Sequence, residues 1–262
     1  MCLLIAAYEA HPDYRFVLVG HRDEFHVRPS APLGWWADDA RVLAGRDLQA
    51  GGTWLGVTRE GRLGVVTNVR VPGEARPEAP SRGLLVTDFL RDDRPPQAFA
   101  ARLATRAGDY AGFNLLTYDG SSLAYCSNRP GPREQHLPPG IYGLSNAQLD
   151  TPWPKLVRAR DRVRDALRAG PLRPERLFAA LADRRPASDD ELPDTGIGTD
   201  LERLLSSPFV VSPDYGTRCT TLVLAGRDGT IRVEERRYAA DGGTTGRTTI
   251  AFNTSRATAG GG

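Results

Sequence analysis

Residues 1–20 read MCLLIAAYEAHPDYRFVLVG and contain two apolar runs on either side of a short polar turn. The first run covers residues 2–8 and the second covers residues 15–20, with the sequence His-Pro-Asp at 11–13 between them. Both runs have the length and composition of β-strands, and the stretch between them is typical of a turn. We therefore predict that the chain opens with two paired antiparallel strands.

The same pattern of two apolar runs joined by a short turn recurs three times, at 53–69, 113–126 and 219–236. Short turns join antiparallel neighbours, so the sheets should be largely antiparallel. Helical periodicity falls between these hairpins, over about 81–107 and about 155–182, with two helices expected in each segment. Strand blocks that alternate with helix pairs predict an α+β protein, with two stacked antiparallel sheets and helices outside.

Proline, aspartate and glycine dominate residues 184–200, which we predict to be a loop. We expect a single domain over residues 1–253 and a disordered tail over 254–262, where the sequence loses apolar residues.

The composition excludes several classes of protein. The chain has 262 residues and a formal net charge of +2, with arginines interspersed among acidic residues, so we expect no nucleic-acid partner. The apolar start is too short for a secretory signal or a membrane span, and we predict a cytoplasmic protein. Three cysteines without CxxC spacing, and four histidines without HxH or HExxH patterns, give no support for a disulfide framework or a metal site.

Cys2 is the first residue with potential for chemistry. A small second residue normally permits removal of Met1, and Cys2 would then carry both a thiol and a free α-amine. A thiol with a pKa of about 8.5 needs a base, and an α-amine with a pKa of about 7.7 to 8.0 can serve as one. N-terminal-nucleophile hydrolases work in this way. The alternative is that Cys2 is an ordinary buried small residue at the start of a strand.

Polar residues at the ends of apolar strands are further candidates, because a rigid scaffold can hold them in fixed geometry. They are His21 to Glu24 after the second strand, Asn68, Asn146 and Arg218. Each also has a local interpretation as a charged turn, a strand-end amide or a surface arginine.

A series of motifs runs in order from the first residue to about residue 252. The motifs are Met1-Cys2, Arg22-Asp23-Glu24, GGTWLG at 51–56, TNVR at 67–70, SRG at 81–83, GFNL at 112–115, GLSN at 143–146, LDTPWPK at 149–155 and YGTR at 215–218. Together they resemble the NRDE-domain family, whose eukaryotic members are called transport and Golgi organisation protein 2. The Asn-Arg-Asp-Glu signature of the family begins here with His21 in place of asparagine.

The resemblance implies a four-layer αββα sandwich, similar to the cysteine-type N-terminal-nucleophile acylases that hydrolyse penicillin V and conjugated bile salts. It also implies roles for the candidate residues. Cys2 is the expected nucleophile, Arg22 and Asp23 hold its thiolate and ammonium, Asn68 and Asn146 supply oxyanion or amine contacts, and Arg218 completes the charge network.

Three functional hypotheses follow. The first is an amidohydrolase or acyl-transfer enzyme that acts on a small C–N linked substrate through Cys2 and needs no cofactor. The second, implied by the eukaryotic relatives, is a non-enzymatic carrier of haem or of acyl-CoA or lipid, in which His21, His26 or Cys2 would bind iron. The third is an interaction module without catalysis. The expected ligand-binding residues are His21, Trp54, Asn114 and Trp153, although the tryptophans could equally be packing residues.

Overall fold

The computed structural model describes residues 2–73 and 76–255, and at position 2 it describes the backbone alone. Within this part of the chain, the first sheet has six antiparallel strands. In spatial order they are β10 (Gly140–Leu144), β1 (Cys2–Tyr8), β2 (Tyr14–Phe25), β11 (Tyr215–Gly226), β12 (Thr230–Tyr238) and β13 (Thr244–Asn253). The predicted removal of Met1 lies outside the described residues.

The second sheet has seven described strands, each antiparallel to its neighbours and each next to its neighbour in sequence. They are β3 (Ser30–Trp35), β4 (Val42–Asp47), β5 (Leu55–Thr58), β6 (Leu63–Asn68), β7 (Phe113–Tyr118), β8 (Leu123–Ser127) and β9 (Arg133–Leu137). The sheet is therefore a meander, interrupted only by the helices between β6 and β7.

Two helices lie against each sheet. Helices α1 (Gly83–Arg91) and α2 (Pro96–Ala104) cover the second sheet, and α3 (Pro154–Arg168) and α4 (Pro174–Leu181) cover the first. Three of these helices begin with proline, whose fixed φ and missing N–H suit the first helical position. A short fifth helix, α5, covers Thr199–Leu204.

The apolar residues fall into three layers of core. The central layer lies between the sheets, where Phe16 stacks on Tyr118 with ring centroids 4.6 Å apart. The other two lie between each sheet and its helices. This is the expected four-layer αββα order, and the prediction of fold class is confirmed.

Five strands and α5 were not predicted. Strand β3 contains a proline and a glycine, and β9 is an exposed polar strand at a sheet edge. The predicted loop over 184–200 contains a 3₁₀ turn at Asp189–Glu191, and α5 begins at Thr199 within its last two residues. Helix α2 ends at Ala104, short of the predicted Ala107, which lies in a separate 3₁₀ turn.

The start of the predicted disordered tail makes backbone hydrogen bonds. The N–H of Thr254 donates to the carbonyl of Gly229, and that of Ser255 donates to Arg59. Residues 256–262 of that tail lie outside the described residues, and the division into one domain and a tail stays a prediction.

Candidate functional site

A row of paired residues crosses four strands of the first sheet at the end where β1 begins. The backbone of Cys2 lies opposite Arg22 on β2, Arg22 lies opposite Cys219 on β11, and Cys219 lies opposite Arg237 on β12. The register between β2 and β11 shifts between Thr217 and Cys219, so Arg218 is the extra residue of a β-bulge. Bulges of this kind redirect side chains at functional sites.

Successive residues of β2 face opposite sides of the first sheet. The Arg22 guanidinium lies 4.5 Å from the ring centroid of Trp54, which precedes a strand of the second sheet, so Arg22 faces the space between the sheets. His21 contacts Leu181 at the end of α4, on the helix side. Position 2 has the same parity along β1 as Leu4 and Ala6, which belong to the core between the sheets.

Arg22 is a buried cation with incomplete hydrogen bonding. Its side chain is 5 % exposed, and its nearest carboxylate oxygen, on Glu24, is 3.9 Å away. Within the described part of the chain, Nη1 has no hydrogen-bond partner. Desolvation of an unpaired guanidinium nitrogen is costly, so an anionic neighbour at this place would be strongly favoured.

A cleft of about 420 Å³ opens beside Arg22, and we call it the main cleft. Its walls include Arg22, Asp23, Trp54, Asn68, Ser81 and Arg82. The cleft thus joins the ends of β2 and β6 to the start of α1. Of the predicted catalytic residues, it brings together Arg22, Asp23 and Asn68, and of the predicted ligand-binding residues it includes Trp54.

Asp23 is held by the strand next to it. Its Oδ1 accepts a hydrogen bond of 2.7 Å from the Thr217 hydroxyl, and its backbone carbonyl accepts one of 2.9 Å from the Tyr215 hydroxyl. Both donors come from the YGTR motif, so one function of that motif is to fix the Asp23 carboxylate.

Asn146 lies behind Asn68 and connects the two sheets. Its Nδ2 donates to the carbonyl of Asn68 at 2.9 Å, and its own carbonyl accepts from the Arg70 N–H at 2.8 Å. The adjacent Thr67 hydroxyl donates to the carbonyl of Ser145 at 2.7 Å. Asn146 is 1 % exposed. These contacts position the end of β6, and with it the Asn68 side chain, beside the first sheet.

Asn114 is fully buried within the fold. Its amide donates to the Thr67 hydroxyl and to the carbonyl of Ala147, and its oxygen accepts from the Tyr125 hydroxyl at 2.7 Å. All three contacts lie within the protein, so the structure gives Asn114 a role in holding the loop after β10.

Arg218 lies in a second cleft of about 260 Å³, which shares Arg22 and Trp54 with the main cleft. Its Nη1 donates to the carbonyls of Phe25 and Arg28. Burial, with a smaller contribution from the charge of Arg22, lowers the pKa of the Arg218 guanidinium. The bulge residue thus lies close enough to Arg22 for the two charges to repel each other.

His21 is a neutral histidine in the core beneath α4. Its Nε2 donates to the carbonyl of Leu181 at 2.9 Å, because a carbonyl can only accept, and its Nδ1 accepts from the Thr220 hydroxyl at 2.8 Å. Burial lowers the pKa of the ring. Both nitrogens are therefore engaged, on the face of the sheet away from Arg22.

Trp153 precedes α3 and stacks against Arg70, whose Cζ lies 4.9 Å from its ring centroid. Arg70 also forms a buried ion pair with Glu202 of α5. The sequence did not predict α5. It did not predict this ion pair either, because the partners are 132 residues apart.

Three further polar residues near the site were given no role by the sequence patterns. Arg237 and Glu235 line the second cleft from β12, and Lys155, the only lysine of the chain, is 2 % exposed in the first turn of α3. Lys155 is the last residue of the LDTPWPK motif, which gave it no role of its own. Glu235 belongs to a predicted hairpin that carried no motif, and Arg237 follows that hairpin directly.

The described residues contain no group of three or more histidine, cysteine or acidic side chains placed to hold a metal ion. None of the described helices combines the length and apolarity needed to cross a bilayer.

Comparison with known proteins identifies close relatives. The family profile described as Transport and Golgi organisation 2 matches residues 1–240. The Homo sapiens Transport and Golgi organization protein 2 homolog is 35% identical over 256 residues, covering 90% of this chain and 92% of that protein. The Mus musculus Transport and Golgi organization 2 homolog is 33% identical with the same coverage.

A solved structure of a Caenorhabditis elegans N-acylethanolamine-hydrolyzing acid amidase (NAAA) ortholog is more distantly similar. It has a TM-score of 0.41 and 11% identity, and the match covers 85% of this chain and 92% of that chain.

Proposed function

The chain belongs to the Transport and Golgi organisation 2 family, and on that premise we propose that it is a hydrolase or acyl-transfer enzyme with Cys2, freed as the N-terminus, as its nucleophile. The observation that carries the proposal is the register of β1 and β2, which sets Cys2 opposite Arg22 at the end of the central strands. A buried guanidinium beside a thiol favours the thiolate.

In the proposed reaction the Cys2 thiolate attacks the carbonyl carbon of a small amide, and the thiol proton passes to the α-amine. The C–N bond breaks, the leaving amine takes up that proton, and an acyl thioester remains on Cys2. Water then gives a proton to the α-amine and attacks the thioester carbonyl carbon. The C–S bond breaks, the acid is released, and the Cys2 sulfur takes the proton back from the α-ammonium. Attack by an amine in place of water gives acyl transfer.

The described neighbours suit the other roles that this reaction requires. Asp23 is held by Thr217 and Tyr215 and would orient the α-ammonium by its negative charge. Asn68 lines the main cleft and is a suitable amide donor to a developing oxyanion. Asn146 would act through Asn68, whose backbone it holds.

The carrier hypothesis has weaker support from the contacts. Iron binding by His21 would break its hydrogen bond to Leu181 if Nε2 binds, or to Thr220 if Nδ1 binds. His26 has its Nε2 within 3.1 Å of the carbonyl of Ser212. Haem binding can be tested by spectroscopic titration, and saturable uptake that weakens in both His21→Ala and His26→Ala would favour the carrier over the hydrolase.

The first test is the N-terminus itself. Protein expressed without an N-terminal tag should have an intact mass that is one methionine residue lower than the mass calculated for the sequence with Met1. Retention of Met1 would separate the amine from the thiol by one residue and contradict self-activation.

The second test is the reactivity of the thiols. At about pH 7 iodoacetamide should label Cys2 before Cys219 and Cys126, measured by peptide mass spectrometry. Burial, with a smaller effect of Glu134, raises the pKa of the Cys126 thiol to about 12, so it should be labelled last. Arg22→Ala should slow labelling of Cys2, whereas Arg168→Ala, at an exposed helix end, should not. Equal rates in these two variants would contradict the role of Arg22.

The third test is turnover of short-chain N-acyl p-nitroanilides and p-nitrophenyl esters. Cys2→Ala should abolish it and Cys2→Ser should leave a weak remnant, because a hydroxyl is the poorer nucleophile. Turnover that survives in Cys2→Ala would exclude Cys2 as the nucleophile.

A further inference from the structure

Three arginines surround the second cleft, and we call this the arginine cleft. Its walls include Arg22, Arg218, Arg237, Glu235, Tyr238 and Trp54. The arginines come from three neighbouring strands. Arg22 and Arg237 lie on either side of Cys219 in the cross-strand row, and Arg218 is the bulge residue beside it. The backbone register itself therefore gathers three cations at one end of the sheet.

The negative charge in this cleft is smaller than the positive charge. Among the described lining residues, Glu235 is the single carboxylate against three guanidinium groups. Glu235 is also already engaged, because its Oε1 accepts from the N–H of Leu33 at 3.0 Å and from Arg237 at 3.3 Å. The cleft therefore has an excess of positive charge in a confined, partly desolvated space, which favours an anion.

The arginines also retain unused hydrogen-bonding capacity. Arg22 is nine-tenths buried, and its Nη1 has no partner among the described residues. Arg218 uses Nη1 on two backbone carbonyls, which leave its charge uncompensated. Burial and the proximity of Arg22 both lower the pKa of Arg218, as expected for like charges held together.

Arg237 is fixed in place by its neighbours. Its Nη1 donates to the Thr248 hydroxyl at 2.8 Å. Its guanidinium lies against Gly246 on β13, where a Cβ would collide with it. A guanidinium held in this way is preorganised, so little side-chain entropy is lost when it binds a ligand.

We propose that the arginine cleft binds the anionic oxygen group, a carboxylate or a phosphate, of a small ligand, with Arg22, Arg218 and Arg237 as its donors. The planar fork of arginine matches both groups and forms paired, charge-assisted hydrogen bonds with them. This site does not depend on catalysis by Cys2. If Cys2 is the nucleophile, its substrate carries an anionic group next to the bond that breaks.

The test measures anion binding to the full-length protein at constant ionic strength, with chloride as the reference anion. Inorganic phosphate and succinate are titrated separately by calorimetry, which shows which of the two groups the cleft prefers. We expect saturable binding of at least one of them. Arg237→Gln and Arg218→Gln should each weaken it about tenfold, because each removes a charge-assisted hydrogen bond. Arg168→Gln is the matched control and should bind as the unaltered protein does.

A second measurement needs no variant. Phenylglyoxal modifies accessible arginines, and the bound anion should protect Arg218 and Arg237 but not Arg168, as determined by peptide mass spectrometry. Absence of saturable binding by both anions would overturn the proposal. Unchanged affinity in Arg237→Gln and Arg218→Gln, or equal protection of Arg168, would also overturn it. Loss of turnover in Cys2→Ala with anion binding intact would separate this site from the proposed reaction.

Discussion

His21, at the position before Arg22, is kept neutral by its burial. Its Nε2 donates to the carbonyl of Leu181 and, in the neutral ring, its Nδ1 accepts from the Thr220 hydroxyl. Burial lowers the pKa of the ring below its ordinary value of 6.5. The unfolded chain therefore binds a proton more readily than the folded one does.

His21 therefore contributes to the unfolding free energy in a way that depends on pH, and this contribution is lost in acid. The contribution is fully present above about pH 6.5, the unfolded value, and decreases as the pH falls towards the lower folded pKa. The slope in that window approaches about 1.4 kcal/mol per pH unit. We predict that His21→Asn, which restores the family signature, has a flatter dependence of unfolding free energy on pH between about 7 and 5. Urea unfolding at several pH values measures this dependence. If the unfolding free energy changed with pH equally in the unaltered protein and in His21→Asn, the prediction would be contradicted.

The sequence indicated the candidate residues but not the side of the first sheet on which each side chain lies. Arg22, Asp23 and Asn68 follow apolar runs, and the structure brings them to one cleft. His21 is adjacent to Arg22 and lies on the other side of the sheet. Because β2 is buried on both faces, its apolar pattern does not distinguish the space between the sheets from the helix side.

At the level of elements, the start of α1 rests directly on the loop before β5. A Cβ on Gly52 would lie 2.6 Å from the backbone carbon of Gly83 and 2.9 Å from the nitrogen of Leu84. The Thr53 N–H donates to the Gly83 carbonyl at this contact. The motifs GGTWLG and SRG, which are far apart in sequence, thus meet at one wall of the main cleft.

We predict that Gly52→Ala destabilises the protein by about 1–3 kcal/mol, because backbone atoms have to move to admit the methyl group. The matched control is Gly34→Ala in β3, where the nearest atom to a new Cβ is 4.0 Å away. This variant should be neutral or slightly stabilising, because it removes freedom from the unfolded chain. Chemical unfolding compares the two, and an equal loss in both would show that the Gly52 contact is unimportant.

Hairpins made of two apolar runs were predictable, whereas a strand with a distant partner, such as β10, or with mostly polar residues, such as β9, was not. The four predicted hairpins are present as β1–β2, β5–β6, β7–β8 and β11–β12. Strand β10 pairs with β1 across more than half of the chain, and such pairing leaves no local turn signal. Strand β9 carries mostly polar, exposed residues and therefore lacks an apolar pattern.

For the whole molecule, the core between the sheets holds the two halves of the site together. Leu18 is fully buried in this core. We predict that Leu18→Ala lowers the unfolding free energy by about 2–5 kcal/mol, through lost burial and the cavity that remains. Leu48→Ala removes a side chain that is 58% exposed, so it should change the unfolding free energy by less than about 0.5 kcal/mol. Comparable losses in both variants, measured by thermal and urea unfolding, would contradict the assignment of this core.

The layer order could be predicted because it depends on counting apolar faces. Each sheet has two buried faces and each helix has one, so two sheets and two helix pairs close as four layers. The alignment of the ends of β2 and β6 could not be predicted, because the bond between Asn146 and Asn68 joins residues 78 positions apart.

The bulge at Arg218 has a consequence for how related sequences should be compared. Adding or removing one residue in a strand moves each of the following side chains to the opposite face of the sheet. The added residue lets both Thr217 and Cys219 keep their side of the sheet, opposite Asp23 and Arg22 respectively. Relatives without a bulge would be one amino acid shorter between the YGTR tyrosine and the end of β11. An insertion or deletion in this strand is therefore best aligned at position 218, because a deletion between Cys219 and Ala225 would move the side chains that follow it to the opposite face of the sheet.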